Sequence, residues 1–112
     1  MFQSERRFRI WDYKVSHNQL LIRSPRNADV ATNVDLVFWG VERLDLPTSF
    51  QGVSLDRGAD GLIHIESEGQ KYRVAAGGFK VLENSLDIFE SSLEGFAATE
   101  VQRDLGDVLA HS

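Results

Sequence analysis

The chain has 112 residues, 42% hydrophobic and 26% charged, a composition typical of one globular domain with a single core. It contains no cysteine, which excludes disulfides and thiolate metal sites, and no apolar run approaches the roughly 20 residues of a membrane span. The net charge of −5 disfavours nucleic acid as a partner, because phosphate binding needs clustered lysine and arginine. We therefore predict one cytoplasmic domain over residues 1–112, with no cofactor, no metal and no membrane partner.

Charge is unevenly distributed along the chain. Residues 1–30 carry six Arg and Lys against three Asp and Glu, whereas residues 31–112 carry six against fourteen. Two interpretations fit this asymmetry. Either the basic and acidic parts pack together or are simply solvated, or they form a surface complementary to a partner.

The first predicted strands form a hairpin. Phe8 to Val15 is rich in aromatic residues, Gln19 to Arg23 is largely apolar, and Ser16 to Asn18 between them favour a turn. We predict that the two strands pair antiparallel and that Asn18 adopts a left-handed conformation.

A loop is predicted from Ser24 to Thr32, because this stretch lacks periodicity and contains proline, asparagine and aspartate. Arg23 and Arg26 lie at its start and are candidates for holding an anion there. The alternative is a plain exposed connection between two strands.

The most apolar stretch, Asn33 to Pro47, is predicted to be the central strand. Its side chains alternate from Val34 to Trp39, so that one face is wholly apolar and the other mostly so. This pattern indicates a strand covered on both sides, or one between the core and a partly covered edge. Gly40 shifts the phase of the alternation, which indicates a bulge or a sharp bend. Trp39 is interpreted either as a core side chain or as an aromatic anchor on a binding face.

Short strands and turns are predicted to follow Pro47. Thr48 to Gly52 is predicted to be a turn, with a short strand after it. The stretch beginning at Asp56 fits part of the calcium-loop pattern but lacks two anionic ligands, including the bidentate glutamate. We therefore interpret Asp56 to Gly61 as a glycine-rich hairpin loop.

A second hairpin is predicted from Leu62 to Glu66 and Lys71 to Ala75, with a short turn at Ser67 to Gln70. Ala76 to Gly78 is predicted to be a flexible link, leading into a last short strand over Phe79 to Glu83.

The periodicity changes after this strand. Apolar side chains recur every three or four residues at Leu82, Leu86, Phe89, Leu93 and Phe96. This stripe favours a helix over Ser85 to Glu94, although a strand is the alternative. A capping-box pattern beginning at Thr99 predicts a second, peripheral helix within residues 99–112, with a frayed tail as the alternative.

These patterns predict a mainly β fold. We expect a single antiparallel β-sandwich or open barrel of about seven or eight short strands, with one or two short C-terminal helices. The alternative is an α+β fold, with the helix Ser85 to Glu94 packed on one antiparallel sheet.

Catalytic and metal-binding motifs are not recognisable in the sequence. The three histidines, at positions 17, 64 and 111, are scattered over a turn, a strand and the tail, and only Glu66 shares the face of His64. An enzyme would have to assemble its site from dispersed residues, and this remains one alternative.

Large side chains are too numerous for one small core to bury all of them, and Trp, Tyr and Arg are favoured at protein interfaces. We therefore predict a non-enzymatic protein-binding or assembly module, one form of which is an inhibitor or immunity-type protein acting on a partner protein. A structural homo-oligomer joined through sheet edges is an alternative. The candidate partner-binding residues are Trp11, Tyr13, Arg23, Arg26 and Trp39.

Overall fold

A computed structural model of the chain describes residues 2–87, 91, 93, 103 and 104. These residues form nine strands, the last of which has only two residues. The strands are β1 (Phe2–Lys14), β2 (Gln19–Ser24), β3 (Asn33–Trp39), β4 (Arg43–Asp45), β5 (Ser49–Arg57), β6 (Ile63–Ser67), β7 (Gln70–Ala75), β8 (Gly78–Asn84) and β9 (Arg103–Asp104). A 3₁₀ turn, Val15–His17, connects β1 to β2.

All nine strands belong to one sheet with the order β4-β7-β6-β5-β1-β2-β3-β8-β9. Every pair of neighbours in this order is antiparallel. The prediction of a mainly β, antiparallel fold is therefore confirmed.

Two bends roll this sheet into a barrel. β3 continues into β4 through Gly40, whose φ of +61° turns the chain, and β7 continues into β8 through Gly77. Gly77 N donates to Trp39 O (2.9 Å) and Glu42 N donates to Ala75 O (2.7 Å), so the two bent strands stay paired across the bend. The predicted bend at Gly40 is confirmed, and the rolled sheet resembles a barrel more closely than a sandwich.

The barrel interior holds one hydrophobic cluster. Its buried members are Phe2, Phe8, Leu20, Ile22, Val34, Leu36, Phe38, Val41, Phe50, Val53, Leu55, Ile63, Ile65, Val74 and Val81. The predicted inward face of the central strand lies in this cluster. Val37 on the opposite face of β3 and Leu21 beside it on β2 are also buried, so β3 is covered on both sides along most of its length. Burial of each large aliphatic side chain contributes about 1.5–3 kcal/mol to folding.

Both predicted hairpins are confirmed. In the first, Lys14 pairs with Gln19, and Asn18 adopts the left-handed conformation with φ of +50°. In the second, β6 and β7 are joined by Glu68 and Gly69, which both have positive φ, as a type I′ turn requires.

Two predicted boundaries are wrong. β1 begins at Phe2 rather than at Phe8, so the arginine-rich start of the chain lies within the sheet. The predicted turn Thr48 to Gly52 is mostly strand, because β5 begins at Ser49 and pairs with β1. The pairing of β1 with β5 shifts in register between Ser4 and Arg7, and this irregularity masked the two-residue periodicity.

Most of the predicted helix Ser85 to Glu94 lies outside the described residues, and residues 85–87 have no regular structure. The helix predicted from Thr99 also lies outside them, except that Arg103 and Asp104 are extended and pair with β8 as β9. Within the described ranges, no helix has the length and apolar character needed to cross a lipid bilayer.

Candidate functional site

Trp39 ends β3 with its side chain outside the hydrophobic cluster, and it remains 40% exposed. Its indole lies against the backbone of Gly77 and Gly78, and a Cβ added at Gly78 would overlap the ring. The predicted link Ala76 to Gly78 is one residue shorter in the structure, where Ala76 and Gly77 connect β7 to β8. Gly77 N is hydrogen-bonded to Trp39 O, and Gly78 belongs to β8.

Two more large apolar side chains are exposed at the same end of the barrel. Tyr13 (38% exposed) lies near the end of β1, and Val15 (76% exposed) begins the 3₁₀ turn. This turn adjoins the bend that follows Trp39, because Val41 N donates to Asn18 O at 3.0 Å. Tyr13 pairs with Leu20, which pairs with Phe38, so Tyr13 lies on the core face of the sheet, whereas Trp39 lies on the outer face. The exposed surface of Trp39 is here called the Trp39 patch.

Arg23 is fully buried, so the prediction that it contacts a partner is corrected. Its Nε lies 2.7 Å from Oδ1 of Asp35 and its Nη2 lies 3.0 Å from Oδ2, which makes a bidentate ion pair. The ring of Trp11 lies over the guanidinium, with 5.5 Å between Arg23 Cζ and the ring centroid. Trp11 is itself partly buried, and its packing on Arg23 gives it a structural role.

Two asparagines extend this buried network. Asn84 Nδ2 donates to Asp35 Oδ2 (2.8 Å), while Asn33 Nδ2 donates to Asn84 Oδ1 (2.8 Å) and to the carbonyl of Leu86 (3.0 Å). Both asparagine side chains are buried. This network could not be predicted from local sequence patterns, because Arg23 and Asp35 face each other only through the register of β2 and β3.

Arg26 is exposed on the loop between β2 and β3, as the loop prediction implied, but it does not converge with the buried Arg23. A different set of arginines converges nearby. Arg6, Arg7 and Arg9 of β1 line a cleft of about 660 Å³, bordered by β5 and by the loop of residues 25–32. We call it the arginine cleft. The cleft was not predicted from the sequence, because the first strand was predicted to begin only at Phe8.

Arg6 fastens the loop to the barrel. Its Nε donates to Ser24 Oγ at 3.0 Å, and its Nη2 donates to the carbonyl of Thr32. Burial lowers the pKa of Arg6 from its ordinary value, and the nearby carboxylates of Glu83 and Asp35 partly oppose this effect. Arg6 therefore ties together the two ends of the loop that forms one wall of the cleft.

His64 is hydrogen-bonded to an aspartate of the preceding loop. Its Nε2 lies 3.0 Å from Oδ1 of Asp60, in the loop before β6, rather than against Glu66. The hydrogen bond from His64 lowers the pKa of Asp60, and a bond from Leu62 N adds to the effect. Among the residues that the structure describes, no three or more His, Asp or Glu side chains are grouped to hold a metal ion.

A second cleft, of about 720 Å³, runs along β4. Glu42, Arg43, Asp45 and Arg73 contribute side chains of both charge signs to its wall, together with the apolar Leu44. This mixture favours no one class of ionic ligand. Among the surfaces of the described residues, the Trp39 patch and the arginine cleft each have a distinct chemical character.

Comparison of the chain with protein-family models, curated proteins and solved structures found no significant match. Its function is therefore inferred from its own side chains and surfaces.

Proposed function

We propose that the protein is a non-enzymatic binding module that contacts a partner protein through the Trp39 patch. The observation that carries this proposal is the exposure of the Trp39 indole against the backbone of two glycines. Tryptophan and tyrosine are enriched among the residues that dominate interface energies. Tyr13 and Val15 expose further apolar surface at the same end of the barrel, and exposed apolar surface commonly marks interaction sites.

The position of Trp39 reduces the cost of binding. Its main chain is fixed by pairing with Gly78 and by the hydrogen bond from Gly77, and the ring packs on that backbone. Ordering a free side chain at an interface costs about 0.5–1.5 kcal/mol, and an indole already held in place avoids much of this cost. A complementary partner surface would offer an apolar pocket for the exposed edge of the indole.

The charge of the chain supports a basic partner. The net charge is −5, and the excess of acidic residues lies after residue 30. An inhibitor or immunity-type protein that neutralises a basic protein in the cytoplasm is the specific form that we propose. Its association with that partner should weaken as the salt concentration rises, because salt screens attraction between exposed charges.

Homo-oligomerisation through sheet edges is the second candidate. Its support is β4, which stands at one end of the strand order and exposes Leu44. However, β4 has only three residues, with the charged Arg43 and Asp45 on either side of Leu44. Short, charged edge strands are a common protection against edge-to-edge pairing, so this candidate has weaker support.

The test uses the folded full chain as bait in lysate from its own source, followed by affinity measurement with the purified partner. Trp39→Ala should weaken binding at least tenfold, because truncating an anchor of this kind costs about 2 kcal/mol or more. Leu44→Ala is the matched control, since Leu44 has similar exposure (38%) but lies on β4. It should leave the affinity unchanged.

Equal binding of the partner by wild type and Trp39→Ala would refute the role of the Trp39 patch. Light scattering of the purified chain tests the second candidate, homo-oligomerisation. A dimer that survives Trp39→Ala but is lost in Leu44→Glu would assign self-association to β4 instead.

A further inference from the structure

We infer that the arginine cleft is a separate binding site for a small molecule that carries two oxyanion groups, such as a dicarboxylate or a bisphosphate. The cleft lies on the part of β1 nearer the chain start, and the Trp39 patch lies at the opposite end of the β1–β2 hairpin. The inference is therefore independent of the proposed function.

Arg7 and Arg9 supply two anion-binding groups at a defined spacing. Both face the same side of β1, because the pairing with β5 is regular from Arg7, opposite Gln51, to Arg9, opposite Ser49. Their Cα atoms are therefore about 6.8 Å apart. A guanidinium presents two parallel N–H groups that match a carboxylate or a phosphate. Two of them side by side suit a ligand with two such groups.

These two guanidinium groups are uncommitted, unlike those of Arg6 and Arg23. Both side chains are exposed, and neither has a hydrogen bond or an ion pair with any residue that the structure describes. In contrast, Arg23 is paired with Asp35, and Arg6 is bonded to the loop. Neighbouring like charges on one face of a sheet are destabilising, and a bound dianion would relieve that repulsion.

The surroundings of the two arginines form a recess rather than a flat face. The loop supplies one wall through Pro25, Asn27 and Val30, and Arg6 holds that loop in place. Asn27 Oδ1 accepts bonds from two backbone N–H groups of the loop, which leaves its side-chain nitrogen as a donor. A volume of about 660 Å³ lies within the range of small-molecule sites, roughly 300–1,000 Å³.

Two features limit the size and charge of the ligand. The chain as a whole is acidic, with a net charge of −5, so its overall field repels a large polyanion such as a nucleic acid. A small ligand responds mainly to the local arginines, whose charges exceed that of the one carboxylate in the cleft, Glu5. Glu5 opposes anion binding, so its neutralisation should strengthen the site.

The test is calorimetric titration of the full chain at low salt with glutarate, with pyrophosphate and with acetate, which has only one carboxylate. We expect saturable binding of at least one dianion and at least tenfold weaker binding of acetate. The preferred dianion distinguishes a carboxylate ligand from a phosphate ligand. Arg7→Gln and Arg9→Gln should each weaken binding at least tenfold, while Glu5→Gln should tighten it several-fold.

Arg43→Gln is the control, because it removes an exposed arginine on β4, outside the cleft. It should bind as wild type, and circular dichroism verifies that each variant is folded. If a glutamine variant fails to fold, Arg7→Lys replaces it, since lysine keeps the charge but loses the bidentate geometry and should still weaken binding. Absence of saturable dianion binding at millimolar concentration, binding of acetate as tight as that of the dianions, or an equal loss in Arg43→Gln would overturn the inference.

Discussion

The guanidinium of Arg23 and the carboxylate of Asp35 form an ion pair that is closed to solvent, with 2.7 Å between Nε and Oδ1. The two residues are directly opposed in the register of β2 and β3, so the pair joins adjacent strands. Asn84 donates a further hydrogen bond to the carboxylate, and Trp11 covers the guanidinium. Each charge is thus compensated where water cannot reach it.

Asp35→Asn should destabilise the protein by about 3–5 kcal/mol, because it leaves the charge of Arg23 buried without a counter-charge. The measurement is urea unfolding followed by tryptophan fluorescence. The double variant Arg23→Met with Asp35→Asn removes both charges and should recover most of the lost stability. A double variant as unstable as Asp35→Asn alone would contradict this account.

Gly78→Ala should displace the Trp39 indole, because the added Cβ would overlap the ring. We expect a loss of about 1–3 kcal/mol, as for other cases of overpacking, and a change in tryptophan fluorescence. Gly77→Ala is the matched control, since its Cβ would meet Trp39 only at an ordinary distance of 3.5 Å. Equal effects of the two substitutions would argue against the close packing of the indole on Gly78.

His64→Phe should raise the pKa of Asp60 toward its ordinary value, because the hydrogen bond from His64 is the main cause of the lowered pKa. A carboxyl pKa that is lower in the folded state adds stability above the unfolded-state pKa, and this stability is lost as pH falls through the folded-state value. The stability difference between wild type and His64→Phe should therefore shrink below about pH 4. Carbon-13 NMR titration of the carboxyl group measures the pKa directly. Glu66→Gln should leave it unchanged, and an equal rise in that variant would show a general charge effect.

Gly69→Ala should destabilise the second hairpin by about 1 kcal/mol, because Gly69 has φ of +78° and a Cβ is disfavoured in that conformation. Open space surrounds the position, so a steric clash would not explain the loss. Glu68→Asn should instead stabilise the hairpin, since asparagine tolerates the φ of +51° better than glutamate does. Thermal melts monitored by circular dichroism test both, and a rise in stability for Gly69→Ala would count against the type I′ turn.

Local patterns in the sequence were sufficient to predict most of the β architecture. Alternation from Val34 to Phe38 identified the central strand, and Gly40 marked its bend. Turn residues such as Asn18 and Gly69 indicated where both hairpins turn. The start of β1 was missed because Arg6 and its neighbours interrupt the apolar alternation that reveals a strand.

The candidate sites were harder to predict, because they depend on contacts between distant residues. An arginine in a strand has the same local sequence pattern whether it faces water or a buried carboxylate. The burial of Arg23 could therefore be predicted only from the register that pairs it with Asp35. The arginine cleft likewise depends on Arg6 reaching Ser24 and Thr32. Trp39 was recognised as a candidate anchor, but its exposure depends on Gly78, which lies far along the chain.

The rolled sheet also has a kinetic consequence. Isolated hairpins form in microseconds, but β3 must find β8 across four intervening strands before the two bent strands can pair. Loop-closure entropy opposes that encounter, so we expect refolding on the order of milliseconds to seconds, as for other β proteins dominated by distant contacts. Stopped-flow dilution from urea would measure this time, and the joining of Trp39 to Gly77 would mark the completion of the barrel.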